Sequence, residues 1–217
     1  MKLTLLGATG RTGTALIAAA LARSHQITIY ARSPSKLDPA LKQNPDVTII
    51  EGEVDNHDSL RRAFREQDAV LSVLGAMPRH HPNDHVFTDA FKVIFAAMKE
   101  EKVTRFVGTG IPTSDPKDKV TWSITLQTWY TKYFLSTCYR DALGYTAVVA
   151  AEEDIDWSWF RIMIVGDGER TGNVLFGYPG DGKMSFGFIR RADLAEAMLD
   201  EVTERKWVKQ MPMIKTA

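Results

Sequence analysis

The feature that most constrains this chain is Gly7-Ala8-Thr9-Gly10-Arg11-Thr12-Gly13, which follows the apolar run Leu3 to Leu6 and precedes the Ala- and Leu-rich segment Thr14 to Ala22. Glycine spacing of this kind also occurs in plain tight turns. The strand before it and the helix after it are what point to a nucleotide. In that context one glycine makes the tight turn, a second lets the backbone approach a pyrophosphate, and a third lets the helix pack against the strand. Free N–H groups and the helix dipole then favour the anion. Gly7, Thr9, Gly10, Arg11, Thr12 and Gly13 are therefore the expected phosphate-side contacts of a dinucleotide.

The rest of the N-terminal half continues as alternating strands and helices. Strands are expected at Ile27 to Tyr30, Val47 to Ile50, Ala69 to Leu74 and Arg105 to Val107, with helices at Ser59 to Phe64 and Phe87 to Met98. Such alternation requires crossover connections and a mostly parallel sheet covered on both faces. The expected class is α/β, a Rossmann-type doubly wound sheet. Beyond Gly110 the pattern loosens, with a helix near Val148 to Glu153, a strand at Trp157 to Val165, a Gly-rich loop at Gly166 to Gly182 and a last helix at Asp193 to Thr203. No repeat or linker divides the chain. Residues 1–217 are expected to form one domain, with a small C-terminal substrate-binding elaboration drawn mainly from 111–140 and 166–188.

Which dinucleotide is bound depends on the end of the second strand, where NAD enzymes place a carboxylate on the ribose 2′-hydroxyl. The residues there are Tyr30-Ala31-Arg32-Ser33-Pro34-Ser35-Lys36, with no acid among them. Arg32 can fork onto a 2′-phosphate, with Ser33 and Lys36 as further donors. NADP(H) is thus expected over NAD(H), against the plainer alternative of a solvated basic turn. The 27 basic and 27 acidic side chains cancel, so no charge footprint for nucleic acid or anionic lipid exists. No apolar stretch is long enough to span a membrane. The one cysteine, Cys138, cannot form an internal disulfide and reads as a small buried residue. With no signal peptide evident, a reducing cytoplasm is the expected location, and a monomer or homodimer acting on a small molecule the expected form.

These pieces resemble the atypical short-chain dehydrogenase/reductase family, specifically its small NmrA-like and flavin/biliverdin-IXβ reductase branch, over nearly the whole chain. The matching segments are Gly7 to Gly13, the Arg32 turn, Gly52-Glu53-Val54, Leu74-Gly75-Ala76 and Ile189 to Ala195. The resemblance implies cofactor contacts at Glu53, Val54, Leu74, Gly75 and Ala76, although strand ends also serve packing alone. Many relatives protonate carbonyls through a Tyr-x-x-x-Lys pair, because a tyrosine of ordinary pKa exchanges protons poorly at neutral pH. Here Tyr130, Tyr133, Tyr139 and Tyr145 are followed at that spacing by Phe134, Thr137, Leu143 and Val149. Tyr145 stands nearest the family position and Thr109 where a Ser or Thr is expected, so both are candidate catalytic groups without the lysine.

The flavin and biliverdin reductase branch manages without that pair by holding an acceptor ring against the nicotinamide, and orientation alone lowers such barriers substantially. Trp122, Leu126, Trp129 and Tyr133 fall on one helical face. That stripe reads as buried core, as an aromatic acceptor pocket using Trp122, Trp129 and Tyr133, or as a dimer contact. His80, His81 and His85 follow the fourth strand. A solvated loop is the bland reading and a proton donor, His80 above all, the functional one; a metal site lacks placed ligands. Asp193 reads as the N-cap of the last helix. Three functions remain open: an NADPH-dependent oxidoreductase acting on a small planar aromatic or conjugated substrate, a non-catalytic NADP(H) sensor of the NmrA-like kind, and a non-redox isomerase or dehydratase of a polyketide-like metabolite.

Overall fold

The computed structural model describes residues 1–75, 81, 83–113, 115–119, 125, 129, 133, 136–182, 184 and 187–217. Strands β1 (Lys2–Leu6), β2 (Gln26–Ala31), β3 (Val47–Glu51), β4 (Ala69–Ser72), β5 (Arg105–Gly110) and β6 (Asp156–Arg161) lie in the order β3-β2-β1-β4-β5-β6, all parallel. β10 (Met213–Thr216) adds in parallel beside β6, and β8 (Val174–Gly177) closes the edge antiparallel to β10. β7 (Ile164–Gly166) and β9 (Phe188–Arg190) form a separate parallel pair.

Helices cover both faces, so strand residues are apolar on both sides. Leu3 and Leu5 of β1 join the core beneath α1 (Arg11–Ala22) and α5 (Arg191–Glu204). Leu6 joins the core beneath α2 (His57–Phe64), α3 (Val86–Glu100) and α4 (Ser136–Ala151). In the second core Phe91, Phe106, Tyr145 and Trp159 pack edge-on or tilted at centroid distances of 5.5–6.0 Å, with Phe106 and Trp159 stacked at 6.4 Å. The order reverses at β1, between β2 and β4, so a crevice opens outside the C-terminal ends of those strands.

The N-terminal alternation stands as expected, and the C-terminal half departs from it. α4 runs from Ser136 to Ala151, where the sequence promised only a short helix near Val148; its buried stripe contains Asp141 and Thr146, which dilute the apolar signal. The expected strand Trp157 to Val165 divides at Ile162 and Met163 into β6 and β7, which belong to different sheets. β8 lies inside the expected Gly-rich loop, and β10 was not foreseen.

Two buried arginines hold this half together. Arg161 forks onto Asp118 at 2.6 and 2.7 Å and donates to the carbonyls of Thr113 and Met211. Arg105 pairs with Glu201 at 3.0 Å. Asp193 does not cap α5. It lies inside the first turn of a helix that starts at Arg191, is buried, and accepts from Thr171 N and Oγ1, Gly172 N and Thr216 Oγ1. Burial alone would raise its carboxyl, yet the donors from Thr171, Gly172 and Thr216 hold it below the usual range. Cys138 is buried, as expected.

Candidate functional site

The three loop glycines do separate jobs. Gly7 has φ +80°, and a Cβ there would stand 2.9 Å from the Val73 backbone. A Cβ at Gly13 would fall 2.4 Å from Ala8 Cα and 2.5 Å from the Gly7 carbonyl oxygen, so this position sets how closely α1 sits on the loop. At Gly10 the nearest atom to a Cβ is 3.5 Å away. Packing does not demand glycine there; its bare backbone is left for a ligand. α1 has no side-chain cap at Gly10 and no acid in its first turn, so its leading N–H groups and positive dipole end face outward unsatisfied.

From this loop a cleft of about 960 Å³ runs across the sheet ends in two directions. Toward β2 it is lined by Arg32, Ser33 and Lys36, and by Glu53, Val54 and Asp55 after β3. Arg32 is solvent-exposed, with Glu53 at 4.0 Å. The Tyr30 hydroxyl lies 2.6 Å from Ser59 Oγ and donates to the Glu53 carbonyl at 2.5 Å, which fixes the turn after β3. Over the loop, Thr9, Arg11 and Thr12 line the cleft with Leu74 and Gly75. Arg11 and Arg191, the first residues of α1 and α5, both pair with Asp167, and the buried Nε of Arg191 has no partner among the described residues.

Toward β5 the lining residues include Thr109, Ile111, Tyr145, Phe87 and His81. Thr109 is buried and its hydroxyl makes only a long contact, 3.5 Å, to the Ser72 carbonyl. Tyr145 is 1% exposed, and among the described residues its hydroxyl makes no hydrogen bond of good geometry, only a marginal approach to the backbone at Ile111. Burial pushes its phenol well above the ordinary tyrosine range, against a smaller lowering from the backbone at Ile111. One turn on, Val149 supplies no amine; among the described residues that line the cleft the lysine is Lys36, at the opposite end.

His81 was weighed in the sequence only as one of three loop histidines, and Asp141 not at all. His81 Nε2 lies 3.0 Å from Asp141 Oδ2, and both side chains are buried. Nothing local could reveal that pair. Arg191 stood within a motif matched by resemblance and was not read as a site residue. Ala76, His80 and Trp122 lie outside the described residues. Trp129 and Tyr133 are helical, and their rings meet tilted at 5.3 Å, as their spacing implies. Yet they are 53% and 65% exposed and are not among the residues lining the cleft, so the core reading of that stripe does not hold for them. Among the described residues no group of three or more His, Cys, Asp or Glu side chains comes together as a metal site would require.

The unsatisfied helix end, the open backbone at Gly10 and the unpartnered Arg191 Nε fit a pyrophosphate. Fold and site together define a dinucleotide-binding α/β protein of the doubly wound class. The chain belongs to the NAD(P)H-binding family, whose profile matches residues 7–205.

An uncharacterized protein from Bacillus subtilis, YwnB, is 27% identical over 212 residues, covering 93% of this chain and 92% of that protein. An isoflavone reductase homolog from Arabidopsis thaliana, P3, is 28% identical over 112 residues; the match covers 49% of this chain and 34% of that protein, so the chain spans about a third of the plant relative's length. A short-chain dehydrogenase/reductase from Veillonella parvula, solved in complex with NADP, superposes with a TM-score of 0.81 at 18% identity, covering 99% of this chain and 94% of that one. The resemblance to the short-chain dehydrogenase/reductase group therefore holds for the fold, the family is the NAD(P)H-binding one, and the cofactor class is NAD(P)H. Among the described residues no helix is long and apolar enough to cross a membrane.

Proposed function

We propose that this chain is an NADPH-dependent reductase that passes hydride to a small planar, conjugated acceptor, the whole chain working as one NAD(P)-binding domain. The observation that carries the reading is a single cleft with unlike ends. At one end lie Arg32, Ser33 and Lys36 with no acid at the β2 terminus; at the other lie Thr109 and an unpartnered, buried Tyr145 hydroxyl. The basic end suits a 2′-phosphate, and the glycine loop with Gly7, Thr9, Gly10, Arg11, Thr12 and Gly13 suits the pyrophosphate. Glu53 and Val54 would border the adenine, Leu74 and Gly75 the middle of the cofactor.

When bound, the cofactor supplies a hydride from its nicotinamide ring. The chain's own part is mostly positioning: Thr109 and Tyr145 donate hydrogen bonds to an acceptor carbonyl, and the aromatic floor beneath Tyr145 keeps that hydroxyl in place. Tyr145, raised by burial and without a neighbouring lysine, stays protonated and orients the substrate. The likeness to an isoflavone reductase homolog supports a planar acceptor.

Mixing the protein with NADPH and a panel of quinones, enones and flavins tests the reading; loss of nicotinamide absorbance with at least one acceptor is expected, and faster with NADPH than with NADH. The missing lysine favours one competing reading, a cofactor sensor that binds without turnover. NADPH binding with no consumption across the panel would establish that reading instead.

A further inference from the structure

We infer that His81, backed by the buried carboxylate of Asp141, is the group that hands a proton to the acceptor, and that the acceptors of this site are neutral conjugated carbonyl compounds. The inference rests on the reductase reading above and names the acid that reading leaves open. Asp141 is fully buried and its position is fixed: Oδ2 accepts from Phe87 N at 2.9 Å, and Oδ1 from Thr88 N at 2.8 Å and Thr88 Oγ1 at 2.7 Å. Its remaining contact is His81 Nε2 at 3.0 Å. The imidazole stacks on Phe87 at 5.8 Å, and Phe87 meets Tyr145 edge-on at 6.5 Å.

A carboxylate held this way fixes the ring's orientation and tautomer, with Nε2–H donating to it, and stabilises the imidazolium when the ring is charged. With Nε2–H committed to Asp141, Nδ1 is the nitrogen assigned to exchange, and His81 lines the same cleft as Tyr145. A neutral acceptor takes the hydride at carbon, its π electron pair moves to the carbonyl oxygen, and that oxygen takes the Nδ1 proton. His81 is left neutral and regains its proton from solvent. Tyr145, pushed up by burial, is a much weaker acid than an imidazolium.

Cys138, one turn before Asp141 on α4, is buried, and burial pushes its thiol up. Asp84 pairs with His85 at 3.2 Å and with Arg140 at 2.8 Å, and Asp89 pairs with Lys92 at 2.9 Å, all exposed. With Tyr145 these are the groups whose titration has to be separated from that of His81.

The test compares two acceptors in the wild type and His81→Gln, which keeps a donor for Asp141 and removes the titration. A neutral quinone needs a proton; a cationic dye such as methylene blue is neutralised by the hydride alone. The ratio of quinone to dye turnover is expected to fall about 100-fold in the variant, the range typical of a lost general acid. The quinone rate is expected to fall with rising pH in the wild type and to lack that fall in the variant. Nitrogen NMR of histidine-labelled protein gives a readout apart from turnover: the His81 Nδ1 signal should shift when an unreactive conjugated ketone is added with NADP+, and be the signal missing from His81→Gln. An unchanged ratio, or equal slowing with both acceptors, overturns the assignment. Turnover with neither acceptor in the wild type instead refutes the reductase reading and takes the proton donor with it.

Discussion

The two ends of the cleft are built on different principles. At the β2 end every functional group sits within a few residues of the strand that positions it: Gly7 to Gly13 directly after β1, Arg32 to Lys36 directly after β2. At the β5 end, and through the C-terminal half of the chain that flanks it, the partners come from remote parts of the sequence. His81 and Asp141 are 60 residues apart, Arg161 and Asp118 are 43 apart, and Asp193 and Thr171 are 22 apart. Backbone geometry makes the first end; buried charges tied across the chain make the second. The cofactor end should therefore fail through lost affinity and the acceptor end through lost stability.

The largest expected effect breaks the remote end. Asp118→Asn leaves the buried Arg161 guanidinium without its counter-charge and should destabilise the protein by about 3–5 kcal/mol in denaturant unfolding, the usual consequence of breaking a buried pair. The protein that remains folded should keep its NADPH affinity. A matching loss of affinity would show that the two ends are not separable.

At the local end, the glycines should split. Gly13→Val drives a side chain into the loop backbone and should destabilise the fold by about 1–3 kcal/mol while abolishing cofactor binding. Gly10→Ser, placed where a serine is a favoured helix cap, should leave stability unchanged or slightly raised and still weaken NADPH, because the hydroxyl occupies N–H groups the phosphate needs. Paired melting and fluorescence titration of both variants would separate the two roles.

A smaller effect sharpens the choice of cofactor. Arg32→Ala should weaken NADPH about 10-fold, or ~1.4 kcal/mol, with NADH affinity unaltered in parallel titrations. The smallest concerns Tyr145. Its phenol is raised in the folded protein, so it binds its proton more tightly there than in the unfolded chain. The stability this contributes is complete below the ordinary tyrosine range, near pH 10, and declines as pH rises above it. Relative to Tyr145→Phe, the wild type should therefore lose up to about 1.4 kcal/mol per pH unit in that alkaline range, read as the difference between two urea curves at each pH.

What could be read from the sequence follows the same division. The parallel sheet, the glycine loop and the basic turn at Arg32 are written in short contiguous segments, because a strand end and a helix start are local events. Most of α4 escaped notice because Asp141 and Thr146 interrupt its buried stripe, and Asp141 sits there to serve Phe87, Thr88 and His81 elsewhere in the chain. Asp193 looked like a helix cap because acids at that point of a helix usually are; its partners Thr171 and Thr216 come from a loop and from the last strand. Trp129 and Tyr133 show the opposite limit. Their spacing places them on one helix face, but spacing does not say whether that face meets the core.

The most direct measurement is a crystal structure of the protein with NADP+. The adenosine 2′-phosphate should contact Arg32, the pyrophosphate should lie on the N–H groups from Gly10 to Gly13, and the nicotinamide should rest beside Thr109 and Tyr145 with His81 within reach of its acceptor face. A dinucleotide bound in the reverse direction, or a nicotinamide ring lying away from Thr109 and Tyr145, would contradict the division of the cleft into a cofactor-selecting end and a reacting end.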